Sequence, residues 1–135
     1  MKNLLTARIA ANGILAIISL TIVFHLMVLL EIIPFTIVWG GRLETKSEML
    51  VFESISLAIN LLILAITGIK AGILKISINP TAIKVILCIL SVLFLINTVG
   101  NCFSTNVFEK LTFTPLTLIL SILCVRLAIS EEHEL

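Results

Sequence analysis

The sequence predicts an all-α integral membrane protein, a four-helix bundle running up-down-up-down with both termini on the cytoplasmic side. Three observations carry this reading. Of 135 residues, 59% are hydrophobic and only 13% charged, and a mean hydropathy of +1.23 is more apolar surface than a soluble core of this size buries. The apolar residues fall into four blocks, each close to the roughly 20 residues that a helix needs to cross a hydrocarbon core of about 30 Å. Lys and Arg are divided unevenly between the connections, which sets orientation.

The first block runs from about 9 to 33. It follows Lys2 and Arg8 without a small-x-small cleavage site and reads as a retained span. Pro34 stops it, because proline cannot continue the hydrogen-bond ladder. The second, about 46–69, opens on Thr45-Lys46-Ser47-Glu48, a capping box in which Thr45 and Glu48 satisfy each other's backbone N–H groups. Asn79-Pro80 opens the third, about 80–100, with Asn79 as cap and Pro80 at the first helical position. Thr114-Pro115 repeats that arrangement and predicts a short fourth span, about 115–130. The whole chain reads as one transmembrane domain.

Lys2, Arg8, Lys70, Lys75, Lys84 and Arg126 fall on one side and Arg42, Lys46 and Lys110 on the other, so the richer side is cytoplasmic. Phe35, Trp39, Phe52, Phe103, Phe108 and Phe113 all map to the opposite, outer interface. A multi-pass protein of the cytoplasmic cell membrane follows, and the absence of Tyr with abundant Ile fits a bacterial source. The basic residues form no stripe, which argues against nucleic acid as a partner. Cys88, Cys102 and Cys124 form no CxxC pair and have no His close by, so they read as small apolar fillers rather than as metal ligands or a disulfide framework. No motif calls for a cofactor.

Small and weakly polar residues mark packed faces in lipid, since they allow close approach. Thr114, Thr117, Ser121, Cys124 and Ala128 form such a stripe on the fourth span, and Glu53, Ser56, Asn60 and Thr67 on the second. The third gathers Ser91, Asn97, Thr98 and Asn101 within about a third of its circumference. The first splits, with Asn12 and Ser19 on one side and Thr21 and His25 nearly opposite.

Depth discriminates further. Glu31, Glu53, Asn97 and Asn101 map to the outer third of the bilayer, and His25 and Asn60 somewhat deeper. Ionisable groups at membrane depth cost several kcal/mol unless paired or hydrated, which makes them functional candidates. The expectation is an outward-opening polar pocket lined by His25, Glu31, Glu53, Asn60, Asn97 and Asn101, with Arg42 as counter-ion. Against it stand plainer roles: Glu31 and Glu53 snorkelling to the interface, His25 as a neutral imidazole bonded to Asn97 or a carbonyl, and the amides as interhelical glue.

The stretch from Pro34 to Leu43 is too apolar for a solvated loop and too short to span. It is expected to lie on the outer leaflet, with Trp39 as anchor and Gly40-Gly41 as a tight turn that also has N–H groups able to cradle an anion. The second outer loop, 101–113, reads equally as a lid or an anchor. Val51-Phe52-Glu53 aligns with Val107-Phe108-Glu109, and the match continues to Lys70 with Arg126, so a tandem duplication would make Glu53 and Glu109 counterparts.

Three functions fit. The first is a non-enzymatic protein binding a small molecule or lipid in the outer pocket. The second is an accessory or immunity-type subunit occupying another membrane protein or a second copy of itself. The third is an intramembrane enzyme using His25 and Glu53 for proton transfer, which requires the two to approach within one water. Conduction is disfavoured because no ring of like residues lines an axis.

Overall fold

A computed structural model describes residues 5–131 and 135. Lys2, part of the charge asymmetry, lies outside the described residues. The described chain is all α, without strands. α1 spans Ala7–Leu29, α2 Lys46–Lys70, α3 Pro80–Cys102 and α4 Val107–Ala128, with single 3-10 turns at Phe35–Ile37 and Trp39–Gly41 between α1 and α2. All four α-helices, at 22 to 25 residues, are long and apolar enough to cross a membrane.

The helix starts follow local chemistry. The Thr6 hydroxyl accepts from the Ile9 N–H at the head of α1. Thr45 and Glu48 form the expected capping box on α2. Asn79 accepts from the Thr81 N–H, with Pro80 at the first position of α3. Two boundaries differ from the sequence reading. α1 ends at Leu29, short of Pro34, because Glu31 takes a left-handed conformation at φ 59° that turns the chain out of the helix.

The larger difference concerns α4. It begins at Val107, where Asn106 accepts from the N–H groups of Phe108 and Glu109, and it runs through Pro115. Thr114-Pro115 is therefore inside the helix and does not cap it. Proline removes one ladder bond, which membrane helices tolerate when hydroxyls and neighbouring helices compensate. Here the Thr117 hydroxyl donates to the carbonyl of Phe113 at 2.8 Å, beside the proline, and contacts that of Thr114 at 3.2 Å.

α1 packs on α2 and on α4, and α3 packs chiefly on α4, whereas α2 and α3 barely touch. The main core is apolar, built from Ala10, Ala11, Ile14 and Ile18 of α1 with Ile63, Leu87, Leu123 and Leu127. The α1–α4 approach is close enough that a Cβ on Gly13 would stand 2.9 Å from Leu123 Cδ1. α3 and α4 are joined by a reciprocal serine pair. Ser91 Oγ donates to the Ser121 carbonyl at 3.0 Å and Ser121 Oγ to the Ser91 carbonyl at 2.9 Å. Thr98 and Thr117 join their hydroxyls at 2.9 Å. These residues belong to the stripes that the sequence marks as packed faces.

At one end of the helices Lys70 Nζ donates to the Ser130 carbonyl, Arg126 Nε to that of Leu5, and Arg8 to that of Leu135. At the other end a smaller apolar cluster of Val28, Val38, Leu43 and Met49 sits under the 3-10 turns.

Buried interhelical hydrogen bonds in a membrane contribute about 0.6 kcal/mol each on average and up to about 1.7. Ser91→Ala and Ser121→Ala, read by unfolding in lipid nanodiscs, are each expected to cost about 1 kcal/mol and to add in the double variant, because each alanine keeps the carbonyl that the other hydroxyl bonds. No loss in either single variant would mean that these hydroxyls make no bond between the helices.

Candidate functional site

The candidate site grows from one residue, Glu53, in the second turn of α2. Its side chain is 1% exposed, and a carboxylate so far from water needs partners for both oxygens. α1 supplies one. Its last turns carry His25 past α2, where Nδ1 lies 2.5 Å from Glu53 Oε2. The loop supplies the other, since the Trp39 indole N–H donates to Oε1 at 2.7 Å.

Trp39 reaches Glu53 through an unusual backbone. It has φ 56°, and Gly40 and Gly41 follow at 69° and 71°. Left-handed geometry is free for glycine but costs a residue with a Cβ roughly 1–2 kcal/mol. The indole's packing on Phe52, at 5.2 Å between ring centroids, and its bond to Glu53 offset that cost.

The same turn binds α4. The Gly40 N–H donates to Glu109 Oε2 at 2.6 Å, and the Ser104 hydroxyl donates to the same oxygen at 2.6 Å. Thr105 returns a bond to the Gly40 carbonyl at 3.0 Å and the Asn106 amide one to that of Ile37 at 2.6 Å. The anion that the Gly-Gly turn cradles is thus the chain's own carboxylate.

Beneath this strap lies a cavity of about 370 Å³ bounded by all four α-helices and the Trp39 turn. Small-molecule sites typically measure about 300–1,000 Å³. His25, Glu53, Asn60, Asn97 and Asn101 all line it, together with Glu109. Asn60 is 8% exposed; its Nδ2 donates to the Ser56 carbonyl, and among the described residues its Oδ1 meets no donor. The Asn97 and Asn101 side chains, one turn apart on α3, likewise find no hydrogen-bond partner there. His25 is bonded to Glu53 and not to Asn97 or a carbonyl.

Two candidates stand outside. Glu31 is an exposed turn residue that ion-pairs with Lys46, because the early end of α1 swings it away from the bundle. Arg42 is exposed, lies beyond the lining and forms no ion pair with a described residue, so it is not a counter-ion for the cavity. The groups that pair with Glu53 come from His25 and Trp39 instead. No cluster of His, Cys, Asp and Glu suited to a metal ion occurs among the described residues.

Comparison with known protein families, characterised proteins and solved structures finds no match. The site's chemistry must therefore be argued from its own atoms. Sequence reasoning passed over Trp39 and Glu109 as site residues. The alignment of Val107-Phe108-Glu109 with Val51-Phe52-Glu53 pointed to Glu109. The single Trp beside Gly-Gly pointed to Trp39, although an anchor at the interface is the usual role of such a residue.

Removing one member of a buried charged pair strands the other, at a cost of about 3–5 kcal/mol. His25→Leu is expected to lower unfolding stability in micelles by about 3 kcal/mol. The double variant with Glu53→Leu is expected to regain part of that loss, because no carboxylate is then left unpaired. A double variant less stable than His25→Leu alone would show that the two side chains are not partners.

Proposed function

We propose that this chain is a ligand-binding protein of the cytoplasmic cell membrane, probing the outer leaflet with a polar pocket that holds a small molecule or lipid without changing it. In this reading the bundle runs up-down-up-down with both termini in the cytoplasm, and the Trp39 turn lies on the outer side. The gathering of Arg8, Lys70 and Arg126 at the end opposite Trp39 supports that orientation.

The observation that carries the proposal is the pairing of Glu53 in the cavity wall. Both carboxyl oxygens of Glu53 are engaged by groups from other elements, which holds the wall in place, while Asn60, Asn97 and Asn101 keep hydrogen-bonding groups uncommitted beside it. A rigid wall with a few free polar groups is what a binding site requires. Of the three, Asn60 is buried, Asn101 half-buried and Asn97 exposed.

A second reading rests on the 2.5 Å separation of His25 and Glu53. Direct contact between an imidazole and a carboxylate is the geometry of a general acid–base pair, so proton transfer to a bound molecule is the alternative. A partner-docking role finds its surface in the face of α1 bearing Asn12 and Ser19, both exposed.

One experiment separates these. Protein purified from its own membrane into nanodiscs is expected to retain one bound small molecule in native mass spectrometry, and Asn60→Trp, which fills the cavity, to lose it. Retention of nothing by the folded wild type, or equal retention by the variant, contradicts the pocket reading. Deuterium from solvent entering the retained molecule in the wild type but not in Glu53→Gln would establish proton transfer over simple binding.

A further inference from the structure

We infer that the pocket's ligand is an amphiphile with an uncharged, hydroxyl-bearing head, and that it enters sideways from the lipid through the gap between α2 and α3. This rests on the binding role proposed above and specifies the ligand class and route.

The route follows from packing. α1 seals against α2 and α4, and α3 against α4, so the side on which α2 and α3 fail to meet is the unsealed wall. Ile59 on α2 and Leu93 on α3 both line the cavity and are 45% and 47% exposed. Flanking Leu62 and Ile96 are apolar and exposed as well, which suits contact with acyl chains. The Trp39 turn, fastened to Glu53 and Glu109, covers the end that an aqueous ligand would use.

The head and tail follow from the lining. At its Trp39 end the cavity presents His25, Glu53, Asn101 and Glu109. Toward the other end its lining is hydrocarbon, with Ile18, Ile63, Leu90 and Leu120. Glu53 to Ile63 is about 15 Å along α2 at about 1.5 Å per residue, so polarity falls off over the length of a short acyl segment. One end suits a head and the other a chain.

The charge of the head follows from what is absent. Among the described residues no Lys or Arg lines the cavity, so an anionic head would face Glu109 without a counter-ion. A cationic head would find Glu53 already engaged at both oxygens and Glu109 Oε2 taken by two donors, with Glu109 Oε1 the one carboxylate oxygen left for it. Uncommitted among the described lining residues are Glu109 Oε1, the Ser56 hydroxyl, the Oδ1 of Asn60, a residue 8% exposed, and the amides of Asn97 and Asn101. Amides offer an acceptor and donors together, which match hydroxyl groups that need both.

The test compares heads on one oleyl chain. Wild-type protein in phosphatidylcholine nanodiscs is exposed to monooleoylglycerol, oleoyl lysophosphatidic acid or oleylamine, and to glycerol without a chain. Retention is read by native mass spectrometry and occupancy by emission of Trp39, the only Trp. Monooleoylglycerol is expected to be retained most, and Asn60→Leu with Asn97→Leu to weaken it about tenfold, each lost hydroxyl partner being worth a factor of roughly three to ten. Ser19→Leu, on the exposed outer face of α1, should leave it unchanged and controls for folding. Ile59→Phe with Leu93→Phe, which narrows the gap, should slow uptake while keeping the order of heads. Preference for the anion or the amine, competition by glycerol alone as strong as by its ester, or unaltered uptake through the narrowed gap overturns this inference but leaves a binding pocket. Retention of none of the probes, together with no molecule carried through purification, removes both.

Discussion

The structure depends on a buried carboxylate that has to be paired. Glu53 sits in the wall of an apolar bundle, and leaving it without partners would cost more than most single interactions in the chain provide. Satisfying it fixes much else. The bond to His25 sets how α1 and α2 align at the Trp39 end. The bond to Trp39 pins a loop that then holds Glu109 and the head of α4 through the Gly40 N–H. Two carboxylates thereby tie three helices to a turn in left-handed backbone, and the strap they form closes one end of the cavity.

The polar residues divide into two sets with different consequences. On the α3–α4 seam Ser91, Ser121, Thr98 and Thr117 satisfy one another or nearby carbonyls, and of the α4 stripe's hydroxyls Thr114 Oγ1 is buried without a partner among the described residues. Around the cavity the amides of Asn97 and Asn101 and the Oδ1 of Asn60 are left over. Both sets consist of ordinary membrane-helix polar residues, so the distinction lies in geometry: where helices touch, hydroxyls pair across them, and where α2 and α3 stand apart, the amides face an empty space. Separation of those two helices is what turns structural residues into candidate ligand contacts.

The helices were legible in the sequence because length and hydropathy constrain spans strongly, and the capping box at Thr45 and Glu48 and the Asn79-Pro80 start carry their own local signals. Thr114-Pro115 misled because the same dipeptide that starts a helix in water can continue one in lipid, and the true start was set by Asn106, a cap residue in a segment that resembled a loop. Within the site, depth along each helix put Glu53, Asn97 and Asn101 in the outer third and His25 and Asn60 somewhat deeper, all in the outer half, and these five line one cavity. Depth could not tell that Glu31 leaves the helix or that Arg42 falls outside the cavity lining, since both depend on where the backbone turns. Nor could it show that Trp39 is a hydrogen-bond donor to Glu53, because that contact is made by a loop conformation no periodicity encodes.

The most direct test of the central claim is the coupling between the single indole nitrogen and a carboxylate carbon, measured by dipolar recoupling in solid-state magnetic resonance on nitrogen- and carbon-labelled protein in lipid. With one Trp in the chain the nitrogen needs no assignment. A strong coupling to a Glu side chain that disappears in Glu53→Leu is the predicted result. An indole nitrogen coupled to no carboxylate, or a coupling that survives that substitution, would contradict the account.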